Sequence, residues 1–304
     1  MSAGQTASSI KVKAFFALAM VCFFWGTTWI ATKEGVMHMP ALQLAGIRQL
    51  MGGSLYMIYF LSKGYALPKG REWWPVLILS VLNFVLTNGL TTVGLKFISP
   101  GLGAIISAIF PLWIVVIGLF KGKDIPPSKA IAGLVMGFLG ICIIFYDHLH
   151  DFKVAKFQLG IILSLLASLS WAFGTLYTKN QALKFNPYFS IGLQMVISGI
   201  IMGGFSSING TAIQISEIPW QAWGAIIYLA VFGSVISFIA YLFALQHLPT
   251  TQASIYAYIN PIIAVLSGFL MYGDPLTLYL AAGGAVILYG VYLVNKVYSK
   301  SQVG

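Results

Sequence analysis

The sequence predicts an all-α integral membrane protein with ten transmembrane helices in two inverted five-helix repeats. Three observations predict it. The 304-residue chain is 59% hydrophobic and only 8% charged, whereas a soluble domain covers itself with about 25% charged residues. Ten apolar runs each approach the roughly 20 residues that cross a bilayer. The second half also repeats the first in register. Trp25, Thr32, Lys33, Gly46, Gly53 and Trp74 return 146 residues later as Trp171, Thr178, Lys179, Gly192, Gly199 and Trp220. Leu95, Pro111, Gly118, Asp124, Gly133 and Gly140 return 150 residues later as Leu245, Pro261, Gly268, Asp274, Gly283 and Gly290.

The first run, 14–32, follows Lys11 and Lys13. It is too long for a signal-peptide core and ends without a cleavage site, so it stays in the protein as a first helix. The second, 41–61, carries Arg48, the sole charge well inside any run. The third, 73–95, opens on Trp73 and Trp74, an aromatic pair suited to the membrane interface. It holds Asn83, Thr87 and Thr91 at i, i+4, i+8, one face of an α-helix. The fourth, 101–120, has Pro111 in mid-span, and the fifth, 130–146, is glycine-rich. Asp147 to Lys156 is the most polar connection and joins the halves. The sixth run, 157–178, contains Trp171, and the seventh, 187–208, has Gln194 where the first half has Arg48. The eighth, 220–246, opens on Trp220 and Trp223 and carries Gly233, Ser237 and Tyr241 as the counterpart of the earlier stripe. The ninth, 251–272, places Tyr256 and Asn260 four apart before Pro261, and the tenth is 276–295. The repeats therefore span 14–146 and 157–295.

Lysine placement orients the chain. With the N-terminus in the cytoplasm, the inner segments hold Lys11, Lys13, Lys63, Lys69, Arg71, Lys121, Lys123, Lys129, Lys179, Lys184, Lys296 and Lys300. The outer segments hold only Lys33, Lys96, Lys153 and Lys156, a strong positive-inside bias. Both termini are then cytoplasmic. Five spans per repeat is an odd number, so the second copy enters from the opposite side. Inverted repeats of this kind are the signature of secondary transporters that work by alternating access.

Other function classes are disfavoured. The acids Glu34, Glu72, Asp124, Asp147, Asp151, Glu217 and Asp274 all sit at or near run ends, and His38, His148, His150 and His247 lie in or beside loops. No carboxylate pair falls at membrane depth. That argues against an intramembrane enzyme, a metal or cofactor site, and a buried proton relay, although Glu34 at the end of the first helix leaves proton coupling open. The net charge of +10 reads as basic loops against anionic lipid, not as a nucleic-acid surface. Cys22 and Cys142 fall inside apolar runs and read as small core hydrophobes. The expected partners are a small-molecule substrate and the lipid bilayer, with monomer and homodimer both open.

The phrase Phe24-Trp25-Gly26-Thr27-Thr28-Trp29, followed by Lys33 and Arg48, resembles a pattern of the drug/metabolite transporter superfamily in its EamA branch. Ser170-Trp171-Ala172-Phe173-Gly174-Thr175 and Lys179 repeat it, and each half ends with a proline helix, an acidic turn and a glycine-rich helix. The resemblance covers roughly residues 14 to 295. It implies ten helices in two EamA domains and export of small organic metabolites, amino acids foremost, across the cell (inner) membrane. A nucleotide-sugar or sugar-phosphate antiporter and a lipid-linked intermediate flippase are the alternatives; the first would need more cations in the cavity than one arginine. Two features depart from the family pattern. Asp124 and Asp274 stand where it usually has Glu, and either can still cap a helix. Arg48 has no charged mate, so any role needing a positive charge belongs to one half.

The expected binding cavity lies between helices 1, 3, 4, 6, 8 and 9, flanked by Arg48. Trp25, Trp171, Tyr241 and Tyr256 would wall it, and Asn83, Thr87 and Asn260 would orient polar groups. Each has a plainer reading. Tryptophans pack cores, and hydroxyl and amide side chains join helices in lipid. Arg48 can pair with backbone carbonyls, snorkel about 10 Å to the outer surface, or bind a carboxylate or phosphate bidentately. Pro111 and Pro261, as repeat mates, are expected hinges, and Gly103, Ser107, Gly118 and Gly268 are expected to permit close helix contact.

Overall fold

The computed structural model describes residues 3–120, 127–147, 150–180, 186–248 and 256–300. Its regular elements are all helical, with no strand among the described residues. The order is α1 (Ala3–His38), α2 (Ala41–Ser62), α3 (Trp73–Leu79), a π-helical stretch π1 (Ser80–Gly89), α4 (Leu90–Gly94), α5 (Pro100–Ser107) and α6 (Phe110–Phe120). It continues with α7 (Ser128–Asp147), α8 (Ala155–Asn180), α9 (Pro187–Ile208), α10 (Trp220–Tyr228), π2 (Leu229–Ile236), α11 (Ser237–His247), α12 (Tyr256–Tyr272) and α13 (Leu278–Lys300). Among the described residues six stretches are long and apolar enough to cross a membrane: Ser9–His38, Gly70–Gly94, Pro100–Gly118, Ala155–Thr178, Pro187–Ile208 and Trp220–His247. Ser128–Ile144, Tyr256–Tyr272 and Leu278–Val294 are shorter apolar helices. α2 has the length, but it carries Gln43, Arg48 and Gln49 and stands outside those six.

Two compact units form, and each draws helices from both halves of the sequence. One contains the chain up to Trp29, Pro100–Val154 and the part from Ser237 onward; the other contains Ile30–Ser99 and Ala155–Ile236. In the second unit α2 packs on α9. A Cβ at Gly46 would lie 3.2 Å from the Gly199 carbonyl oxygen, and one at Gly53 would lie 2.8 Å from that of Gly192. Low numbers on one helix meet high numbers on the other, so the two helices are antiparallel. The contacts are reciprocal: Gly46 meets Gly199 and Gly53 meets Gly192, while Gly192 and Gly199 are the repeat mates of Gly46 and Gly53. The first unit repeats the device with α7 on α13. A Cβ at Gly133 would meet the Gly290 oxygen at 2.6 Å, and one at Gly140 would meet that of Gly283 at 2.7 Å. In lipid no hydrophobic gain favours one apolar surface over another, so helices associate by close packing that only small residues allow.

Polar side chains fix the helix ends. Asn186 caps α9, its side-chain oxygen accepting from the N–H groups of Tyr188 (3.0 Å) and Phe189 (3.2 Å), and Pro187 fills the first helical position. The Lys33 ammonium donates to the carbonyls of Leu95 (2.8 Å) and Ile98 (3.1 Å) just past α4, where a cation satisfies the unpaired end of a helix. The Gln43 amide holds the loop before α10 by donating to the Ile213 carbonyl (2.7 Å) and accepting from its N–H (3.0 Å). Beside it Val36, Met39, Leu44, Ile218 and Ile226 form a buried apolar cluster.

Several sequence expectations change here. The proline mates do not behave alike. The fourth run breaks at Ala108 and Ile109, and Pro111 falls in the first turn of α6, where a missing N–H costs nothing. Pro261 instead sits inside a continuous α12. α13 is capped by Thr277, whose hydroxyl oxygen accepts from the Leu280 N–H at 3.1 Å, while the Asp274 carboxylate lies against Gly268. Gly118 makes no close helix contact, since a Cβ there would meet nothing within 4 Å. Cys22 is buried as expected, but Cys142 is exposed. Asp124 lies outside the described residues.

Candidate functional site

The expected site residues divide between the two units. Trp25, Tyr241, Tyr256 and Asn260 come together in the first. The Trp25 ring lies 5.2 Å from Tyr241, 5.1 Å from Tyr256 and 5.2 Å from Phe238 between centroids, and Tyr241 lies 5.4 Å from Tyr256. Most of these contacts are edge-to-face, the arrangement that ring quadrupoles favour. Ala17, Val21 and Ala240 are the buried small residues that bring α1 and α11 together beneath the rings. Asn260 ties α12 to α1. With its amide oriented to suit the hydrogen-bond network, the nitrogen donates to the carbonyls of Tyr256 (3.1 Å) and Cys22 (3.0 Å). Its donors are thereby used by the backbone, and only its oxygen stays available to orient another group.

Arg48, Asn83, Thr87 and Trp171 belong to the second unit. Arg48, Gly52 and Tyr56 are spaced i, i+4, i+8 on α2, and all three face π2. The Arg48 Nε–H donates to the Ser234 hydroxyl at 3.3 Å, and the Tyr56 hydroxyl donates to the Val235 carbonyl at 3.0 Å. A Cβ at Gly52 would lie 3.0 Å from the Ser234 Cβ, so glycine lets π2 approach closely enough for Ser234 to reach Arg48. Arg48 is only 9% exposed. No carboxylate pairs with it among the described residues, and its two terminal amines make no hydrogen bond. The oxygens of Gln49 and Asn83 are buried without a partner in the same unit.

The repeat-related face is Gln194, Ser198 and Met202 on α9, and it meets π1. The Ser80 hydroxyl donates to the Gln194 carbonyl (2.9 Å), and the Met202 sulfur would lie 3.1 Å from a Cβ at Gly89. The Gln194 amide donates to Ser190 (3.0 Å) and the Ser198 hydroxyl to the Met195 carbonyl (2.9 Å). Polar side chains on this face find partners on their own helix.

The stripe on the third run is wound differently from the α-helical expectation. Over π1 the side chains reach carbonyls five residues back: Thr87 donates to Leu82 (2.7 Å) and Asn88 to Asn83 (2.9 Å). Thr87 also donates to the Ala167 carbonyl (3.3 Å), and Ser170 donates to Leu82 (2.8 Å), which fastens π1 to α8. The Asn83 oxygen is buried without a partner and presses on Gly174, where a Cβ would collide with it. Trp171 is half-buried, and its carbonyl accepts from Thr175 (2.8 Å). At the end of α1, His38 Nε2 and Glu34 Oε1 lie 2.9 Å apart as an i, i+4 pair.

Sequence reasoning missed Ser234, Tyr56, Gln43 and Phe238. Phe238 carried a usable signal, three residues before Tyr241 on one helix. Ser234 carried none, because an α-helical period puts Gly233, Ser237 and Tyr241 on the shared face and passes over it. π-helical stretches are rare and cluster at functional positions, and π1 and π2 fall in corresponding parts of the two halves.

Comparison with known proteins places this architecture. The model of the EamA-like transporter family matches residues 12–146 and again 158–296. "Uncharacterized transporter YvbV" of Bacillus subtilis is 30% identical over 305 residues, covering 96% of this chain and 94% of that protein. "Uncharacterized inner membrane transporter YedA" of Escherichia coli is 30% identical, covering 92% of this chain and 90% of that protein. "WAT1-related protein At3g02690, chloroplastic" of Arabidopsis thaliana is 27% identical, with 90% and 67% covered. A solved structure described as "Crystal structure of protein" shares the fold at a TM-score of 0.63 and 16% identity, covering 94% of this chain and 97% of that one. All-helical, apolar and matched twice along its length, the chain belongs to the EamA-like transporter family, as a multi-pass membrane protein.

Proposed function

We propose that the protein exports small organic metabolites, amino acids foremost, across the cell (inner) membrane by alternating access. The observation that carries this reading is the reciprocal glycine pairing. In each unit, repeat-related helices from opposite halves pack antiparallel and exchange equivalent contacts, as inverted repeats about an in-plane axis require. On this reading 14–146 and 157–295 are five-helix repeats, the spans number ten, and both termini are cytoplasmic. Trp25, Tyr241, Tyr256 and Trp171 offer apolar surface to the solute, Asn83, Thr87 and Asn260 offer polar groups, and Arg48 offers charge. Pro111, behind the break at Ala108–Ile109, and Pro261 are the assigned hinges. The lipid bilayer and the solute are the partners, and the functional unit is a monomer or homodimer.

The test is reconstitution of the full chain in liposomes loaded with a panel of labelled amino acids. The reading requires saturable, protein-dependent efflux or exchange of at least one of them. Movement of fluorescent phospholipid without movement of any solute would replace it with a lipid-flipping function.

A further inference from the structure

We infer that the terminal amines of Arg48 receive an oxyanion, a carboxylate or phosphate group on the solute, and that Ser234 is the residue that positions them. The inference rests on the transport reading for the word solute, and on the second unit alone for the site.

A guanidinium that is 9% exposed in an apolar protein is expensive to hold, and such groups are retained where they pair or serve function. Arg48 has no carboxylate partner among the described residues, and its one hydrogen bond runs from Nε to the Ser234 hydroxyl. A guanidinium presents five N–H donors. The Ser234 contact uses the Nε–H and leaves both terminal amines, the pair that grips a carboxylate or phosphate in a two-point fork.

Three features make this a built site. Gly52 removes the side chain that would push π2 away, since a Cβ there would sit 3.0 Å from that of Ser234. Tyr56 holds the next residue of π2 through the Val235 carbonyl at 3.0 Å. The repeat-related face supplies the contrast: the neutral Gln194 stands at the arginine position, and its amide nitrogen donates to Ser190 at 3.0 Å. One scaffold thus occurs twice, and only one copy carries an open cation.

The experiment measures binding, not transport. Full-length protein purified in neutral detergent is titrated with sodium acetate or sodium phosphate against sodium chloride at matched ionic strength, and its unfolding temperature is read, because a ligand stabilises what it binds. Acetate or phosphate is expected to raise the unfolding temperature of the parent beyond chloride. In Arg48→Gln the response should disappear. In Arg48→Lys, which keeps charge but loses the fork, half-saturation should rise about tenfold, the worth of one charged hydrogen bond. Ser234→Ala should also raise half-saturation about tenfold, and Ser234→Thr should restore it; a purely structural serine would lower the unligated unfolding temperature and leave half-saturation alone. Should Arg48→Gln fail to fold, the lysine and serine variants carry the test. The inference is overturned if neither anion outperforms chloride on the parent, or if all variants respond like it. It is also overturned if only phosphatidylglycerol, set against phosphatidylcholine in the same micelles, stabilises in an Arg48-dependent way, since the oxyanion would then be a lipid headgroup. A protein that shows the shift but moves no amino acid in liposomes fails the transport reading and keeps this one. Transport without an Arg48-dependent shift does the reverse.

Discussion

The α2–π2 and α9–π1 junctions are built on one plan and finished differently. Both set an i, i+4, i+8 face of a repeat-related helix against a π-helical stretch. On α2 the face reads Arg48, Gly52, Tyr56; on α9 it reads Gln194, Ser198, Met202. The α9 face is neutral and bonds within its own helix, with the Gln194 amide nitrogen on Ser190, Ser198 on the Met195 carbonyl and a pliable methionine sulfur beside Gly89. The α2 face brings a cation, a small gap and a phenol, and leaves two amines open. The scaffold occurs twice, and only one copy carries a cation. The glycines that hold α2 to α9 and α7 to α13 belong to the shared part; Arg48 and Ser234 belong to the singular part.

Breaking that contrast should cost most where charge enters the closed copy. Gln194→Arg puts a cation among groups already paired, which costs about 3–5 kcal/mol, as an uncompensated buried charge does; a chemical unfolding titration in detergent should show this loss. A smaller effect is expected at the shared glycines. Gly53→Leu drives a side chain into the backbone of Val196, where even a Cβ would lie 2.7 Å from the amide nitrogen. Overpacking of this kind costs about 1–3 kcal/mol. Gly118→Leu meets open space and should stay within about 0.5 kcal/mol of the parent, so equal losses at both positions would contradict the packing described. In the first unit, a double-mutant cycle on Trp25→Ala and Tyr256→Ala should give a coupling of about 0.5–1.5 kcal/mol; additive losses would mean the rings only share a neighbourhood. The smallest contrast is between two serines. Ser80→Ala loses one neutral hydrogen bond to the Gln194 carbonyl, about 1 kcal/mol of stability, with no change in anion response. Ser234→Ala should change the response.

The broad fold was readable from the sequence because it follows from composition and period. Apolar length marks the helices, and constant offsets between glycines and tryptophans mark the duplication. The antiparallel glycine pairs then realise that duplication in contacts. The aromatic cluster was readable in part. Trp25, Tyr241 and Tyr256 were singled out by depth and spacing and do meet, yet Phe238 looked like any apolar residue. The junction around Arg48 was half readable. A lone charge inside a span announces itself, but its partner does not, because π winding shifts which residues share a face and no residue pattern here foretold it. Pro111 and Pro261 show the same limit. Identical residues at mated positions begin one helix and sit inside another, since a proline's effect depends on where the helix starts.

The central claim is that an inverted-repeat carrier reads an anionic group through Arg48. The most direct measurement is protein-dependent exchange of a labelled amino acid in phosphatidylcholine liposomes, run beside its carboxamide analogue, in which a neutral amide replaces the carboxylate, for the parent and for Arg48→Gln. The parent should move the acid at least about tenfold faster than the amide, the worth of one charged contact. Arg48→Gln should lose that preference together with most of the acid flux. Equal movement of acid and amide by the parent, or an undiminished preference in Arg48→Gln, would rule out this role for Arg48.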